Sequence, residues 1–115
     1  MERRKWERRA DDRVPLRIRI QYQTADQFFQ DYIQNLSTGG IFIETSKPLK
    51  VGTPLKVQFI LPEIEKEIVA AGVVVRKVDV WNKNPRLAGM GIQFSDLNSS
   101  DKLILDEYIR RIEAT

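Results

Sequence analysis

The chain has 115 residues, 42% of them hydrophobic and 30% charged, with a formal charge of +3. That suits one soluble globular domain and argues against a disordered chain. His and Cys are both absent, which excludes an imidazole general base, a Ser-His-Asp triad, a Cys nucleophile and a Cys/His zinc site.

The opening stretch "MERRKWERRADDR" holds Arg3, Arg4, Arg8, Arg9 and Arg13, with Glu2, Glu7, Asp11 and Asp12 interleaved. No apolar segment follows it, so it does not read as a secretory signal. The apolar runs elsewhere are too short to span a bilayer. A cytoplasmic address without membrane insertion is expected. Residues 1–13 read as a flexible, arginine-rich arm, and residues 14–115 as the folded domain.

"VPLRIRIQY" alternates: Val14, Leu16, Ile18, Ile20 and Tyr22 share one parity and Arg17, Arg19 and Gln21 the other, which predicts a half-buried strand. "QFFQDYIQNL" predicts a second strand and a hairpin. "STGG" breaks it, and "GIFIET" is a short third strand. After the loop "SKPLKVGTP", the run "PLKVQFIL" alternates again, with Leu55, Val57, Phe59 and Leu61 inward. "IVAAGVVVRKVDV" is a long strand in which Gly72 suggests a bend or bulge. "LAGMGIQF" is the last strand. Then the period changes. Ile104, Leu105, Tyr108, Ile109 and Ile112 trace one face of a helix over about 99–113, capped by Asn98 or Ser99. Asp106–Arg110 and Glu107–Arg111 are expected as i,i+4 pairs. Without long crossovers the fold expected is all-β, an antiparallel barrel of about six strands packed by one C-terminal helix.

The first hairpin positions the chemistry. A turn near Thr24–Ala25 makes paired residue numbers sum to about 49, so residue 13 comes opposite residue 36. The arginines then meet "NLSTGG", residues 35–40. Guanidinium groups recognise phosphates and guanine edges and stack on purines. The Asn35 amide both donates and accepts, Ser37 offers a hydroxyl to phosphate, and Gly39 and Gly40 allow positive φ and close approach of a ligand. Taken alone, Asn35-Leu36-Ser37 is more simply an Asx-turn ending a strand.

These residues resemble the PilZ domain, a bacterial receptor module for cyclic di-GMP. The family carries R-x-x-x-R before its first strand and [D/N]-x-S-x-x-G after its second. "RADDR" supplies Arg9 and Arg13; "NLSTGG" supplies Asn35, Ser37 and Gly40; "GMGIQF" resembles the family's last strand. The resemblance implies a six-stranded split-type barrel with a C-terminal helix. It implies a cyclic di-GMP site of Arg8, Arg9, Arg13, Asn35, Ser37, Gly39 and Gly40, and no enzymatic activity, cofactor or metal. Asn stands at position 35 where the commoner pattern has Asp, which re-aims the base contact. Arg8 directly before the motif implies room for an intercalated ligand dimer, and so a monomer or a ligand-mediated dimer. A stand-alone receptor domain also implies an effector protein as partner. Two other readings compete. One is a PilZ-like interaction module that binds no nucleotide, against which the intact arginines speak. The other is a DNA- or RNA-binding barrel, which lacks the exposed aromatic stripe such proteins use. Trp6 and Trp81 are open as stacking partners or ordinary packing residues.

Overall fold

The computed structural model describes residues 14–79 and 88–113. The strands are β1 (Val14–Gln23), β2 (Phe28–Leu36), β3 (Gly40–Glu44), β4 (Pro54–Leu61), β5 (Lys66–Val78) and β6 (Gly89–Asp96), followed by helix α1 (Ser99–Glu113). They form the expected antiparallel barrel, closed in the order β1-β2-β3-β6-β5-β4, with β4 paired back to β1. β1 meets β4 only over Ile20–Gln23, so β1 residues 14–19 have no β4 partner and the barrel is split there.

Alternation fills the interior. Ile18, Ile20 and Tyr22 from β1 and Leu55, Val57, Phe59 and Leu61 from β4 are all buried. Each large apolar side chain removed from water contributes about 1.5–3 kcal/mol. Leu105, Tyr108 and Ile109 of α1 join the same core, and Ile104 and Ile112 pack against it. Asn98 is the helix cap: the Asp101 N–H donates to Asn98 Oδ1 at 2.8 Å. Lys66 Nζ lies 3.1 Å from Asp101 Oδ1 and ties the start of β5 to the start of α1. The two i,i+4 pairs expected on α1 do not come within ion-pair distance. Asp106 is half-buried, and its Oδ1 is buried with no hydrogen-bond partner.

The curvature comes from register shifts. One lies in β1 between Pro15 and Ile18, opposite Asn35 and Ile33. Another passes over Gln34 in the β2–β3 pairing. Two more lie in the β5–β6 pairing, at Ser95 and at Val75. The Ser95 shift sits beside Gly72, where a bulge is expected from the sequence. Each bulge bends its strand and changes which face the following side chains take.

One polar pair is built into the interior. The Tyr22 O–H donates to Asp31 Oδ2 at 2.7 Å, and its ring stacks on Phe29 with centroids 4.9 Å apart. Burial, then the hydrogen bond and charge of Asp31, hold the Tyr22 phenol protonated well above its ordinary range. The folded protein therefore keeps a proton that the unfolded chain releases near pH 10. This contribution to stability is whole below about pH 10 and falls by about 1.4 kcal/mol per pH unit above it. Urea unfolding between pH 9 and 11 is expected to show this decline in the parent and a shallower one in Tyr22→Phe.

Candidate functional site

Two bulges create the outer row on which the site stands. Strict alternation from buried Ile33 would turn Asn35 inward. The shift at Gln34 instead seats Leu36 in the core, fully buried, and leaves Asn35 half-buried on the outer wall. On β5, strict alternation from buried Val74 would turn Arg76 inward. The shift at Val75 pairs Arg76 with Gly91, and Arg76 is exposed. Asn35 faces Phe42, Phe42 faces Gly91 and Gly91 faces Arg76. Four strands thus contribute to one row roughly 14 Å long, three strand spacings.

Phe42 lies between Ile41 and Ile43, which point into the core. It sits on the opposite face, yet it is 3% exposed. Gly89 leaves room for its ring: a Cβ there would lie 2.6 Å from Phe42 Cε2 and 2.2 Å from the Ile43 carbonyl oxygen. The Arg76 guanidinium carbon lies 5.3 Å from the Phe42 ring centroid, a cation–π arrangement. Among the described residues Arg76 has no ion-pair partner. The sequence reading missed Arg76 because its outward direction depends on the Val75 bulge.

The corner between β2 and β3 is closed by Ser37. Its N–H donates to the Gly40 carbonyl at 2.9 Å. Its hydroxyl donates to the same carbonyl at 3.0 Å and accepts from the Gly40 N–H at 3.1 Å. Ser37 is buried, and its single O–H is engaged. The turn is therefore a serine clasp rather than the Asx-turn that Asn35 could have made. Gly52 is the one glycine with positive φ among the described residues. Gly40 serves close packing instead, since a Cβ there would lie 2.0 Å from the Ile92 carbonyl oxygen. Gly39 is exposed, a Cβ there would meet nothing within 4 Å, and its carbonyl accepts from the Phe94 N–H at 2.9 Å.

Asn35, Ser37, Gly39 and Gly40 thus share one corner. Arg8, Arg9, Arg13, Trp6 and Trp81 lie outside the described residues. What the described part does place is the entry of β1. Pro15 faces Asn35 and Val14 faces Leu36, one residue from the pairing expected: the turn centres between Ala25 and Asp26, which moves the register by two, and the shift between Pro15 and Ile18 takes one back. Among the described residues no His/Cys/Asp/Glu group is arranged to hold a metal, and no helix is long and apolar enough to cross a membrane.

No curated protein matches the chain. Among solved structures, the Bacillus subtilis inhibitor of motility MotI/DgrA is similar, with 25% identity and a TM-score of 0.76. The match covers 94% of this chain and 53% of that one, so the chain spans about half the length of that protein. The PilZ domain of Escherichia coli YcgR, solved with c-di-GMP, matches at 20% identity and TM-score 0.67, over 93% of this chain and 92% of that one. The Borreliella burgdorferi PlzA protein in complex with c-di-GMP matches at 16% and 0.55, over 90% and 41%. These likenesses agree with the barrel and helix described above, and the PilZ domain model matches residues 2–111: the chain belongs to the PilZ domain family.

Proposed function

We propose that this chain is a cytoplasmic receptor domain for cyclic di-GMP, a binding module and not an enzyme, which changes conformation on binding and passes the signal to an effector protein. The observation that carries the reading is the row Asn35–Phe42–Gly91–Arg76, turned outward by two bulges and lying beside the entry of β1. The chain residue preceding Val14 is Arg13, and R-x-x-x-R ends there. Arg8, Arg9 and Arg13 supply guanidinium groups for phosphates and guanine edges. Asn35 reads a base edge, and Arg76 adds a cation at the far end of the row. Gly39, with no neighbour where a side chain would be, leaves the ligand room to approach. Ser37 and Gly40 shape the corner, since a phosphate could take the Ser37 O–H only by displacing the Gly40 carbonyl. Residues 1–13 close over the bound nucleotide, and Arg8 allows a second ligand molecule to stack in and bring two chains together.

Calorimetric titration tests this. Cyclic di-GMP is expected to give saturable heat at micromolar concentration, about −8 kcal/mol, and GMP none over the same range. With two phosphates on the ligand, affinity should fall only modestly with salt, unlike DNA binding. Arg13→Ala removes a charge-assisted hydrogen bond worth about 1.5–3 kcal/mol and is expected to weaken binding at least about tenfold. Heat from GMP equal to that from cyclic di-GMP, or an unchanged affinity in Arg13→Ala, would count against the assignment.

A further inference from the structure

β1 is held unevenly along its length. Over Ile20–Gln23 it pairs with β2 on one side and β4 on the other. From Val14 to Arg19 no β4 residue pairs with it, so among the described residues β2 is its single strand neighbour. That ladder is itself interrupted. Pro15 faces Asn35 and Ile18 faces Ile33, so Leu16 and Arg17 together stand opposite Gln34, a bulge at which the regular hydrogen bonding is broken. Pro15 has no N–H to give. This weakly held half of β1 is what joins residue 13 to the rest of the barrel.

One side chain makes up for the missing strand. Arg17 reaches from β1 across the outer face of β2 to β3, two strand spacings or roughly 10 Å. Its guanidinium carbon lies 4.0 Å from the Tyr32 ring centroid, and its Nη1 donates to Glu44 Oε1 at 3.1 Å. Tyr32 and Glu44 face each other across β2 and β3, and Glu44 faces Gly89 of β6. The three side chains form a clasp that fastens β1 to the wall carrying Asn35, Phe42 and Gly91. An exposed ion pair alone contributes little, and the Arg17 side chain is 63% exposed. Here a cation–π contact is added to it, on a strand segment with few other bonds. Arg13 and Arg17 also satisfy R-x-x-x-R, but the Arg17 guanidinium is already engaged by Tyr32 and Glu44.

We propose that Arg17 is a positioning residue for the nucleotide site: clasped by Tyr32 and Glu44, it fixes the first half of β1 and so sets where Arg13, four residues earlier, stands relative to Asn35. Without the clasp this half of β1 has more arrangements open to it. Binding must then select the one in which Arg13 and Asn35 face the same ligand, and the apparent affinity falls by the fraction of chains so arranged. The inference rests on the nucleotide reading for its ligand. The clasp itself can be measured in the free protein.

Amide hydrogen exchange in the free protein reads the clasp, and calorimetry reads its effect on the site. The Thr24 N–H bonds the Gln27 carbonyl, and bonds to β2 recur at every second residue back along β1, through Tyr22 and Ile20 to Ile18. Ile18 therefore reports the first half of β1 and Tyr22 the second. Arg17→Gln and Glu44→Gln are each expected to speed exchange at Ile18 about fivefold and to leave Tyr22 unchanged. The same variants should bind cyclic di-GMP about fivefold more weakly at an unchanged melting temperature. The swap Arg17→Glu/Glu44→Arg should restore both readings, since an arginine at position 44 still faces Tyr32. Should Arg17→Gln unfold, Arg17→Lys, which keeps the charge and loses the planar stacking, supplies the same comparison. Unchanged exchange at Ile18 in the single variants would overturn the proposal. So would an affinity loss that the swap does not restore, which would make Arg17 a direct contact of the ligand. Heat from the parent with unaltered affinity in the variants would overturn the positioning role alone, whereas no heat from the parent would overturn the nucleotide reading and this role with it.

Discussion

Gly40→Ala is expected to cost about 3 kcal/mol of stability, the upper part of the range for overpacked cores, and to lower the melting temperature by roughly 12 °C or more. The added methyl would lie 2.0 Å from the Ile92 carbonyl oxygen and 3.2 Å from Gln93 Cα. These are backbone atoms of β6, fixed by the ladder that pairs Gly40 with Gln93 and Ile41 with Ile92. Relief requires β3 and β6 to separate, and that pulls on the three hydrogen bonds joining Ser37 to Gly40. The neighbouring residue is the control. Gly39→Ala adds a methyl that meets nothing within 4 Å, so its stability should stay within about 0.5 kcal/mol of the parent. Thermal unfolding followed by circular dichroism separates the two. Equal melting temperatures would show that the strands are not so closely set. The pair also parts fold from function, because Gly39→Ala should keep the fold while narrowing the approach to the corner.

What the sequence disclosed followed from simple periods. The alternation of Leu55, Val57, Phe59 and Leu61 needs only the two-residue repeat of a strand, and all four are buried as that repeat requires. The helix from Ser99 to Glu113 needs only the 3.6-residue repeat and a cap. The hairpin arithmetic misses the β1–β2 pairing by two residues beside the turn, because Thr24 hydrogen-bonds Gln27 and centres the turn between Ala25 and Asp26, and by one at Val14, where the shift between Pro15 and Ile18 recovers a residue. Bulges were harder to read. A bulge is one residue's change of phase, and Gln34 and Val75 carry no mark distinguishing them from their neighbours. Of the two reasons expected for Gly39 and Gly40, positive φ is not met at either; Gly40 is required by the nearness of β6, while Gly39 has open space where a side chain would be. Ser37 was read as a phosphate donor, and in the fold its hydroxyl closes the corner. Such a role depends on where the Gly40 carbonyl lies, which no spacing in the sequence specifies. The arginines that prompted the functional reading, Arg8, Arg9 and Arg13, are outside the described residues, so their part in the site is a proposal.

Arg76→Glu is expected to weaken cyclic di-GMP binding by about thirtyfold or more, roughly 2 kcal/mol, if the outer row receives the ligand. Three facts about position set this expectation. Arg76 is exposed and lies in the same row as Asn35. Its guanidinium is already placed over Phe42, so little side-chain freedom remains to be lost on binding. It has no ion pair among the described residues, so its charge is available to a phosphate. Charge reversal both removes the attraction and brings a carboxylate toward an anionic ligand, whereas Arg76→Lys keeps the charge and loses only the planar fork. Lysine should therefore retain most of the affinity if Arg76 acts as a point charge on phosphate, and lose it nearly as fully as glutamate if Arg76 reads a guanine edge through paired hydrogen bonds. The fold should tolerate both, since only a cation–π contact of about 0.5–1 kcal/mol is given up. Calorimetry of the three proteins at one ionic strength makes the comparison. Parent affinity in Arg76→Glu would remove β5 from the site and confine the ligand to the Asn35–Gly40 corner and the arginines that precede β1.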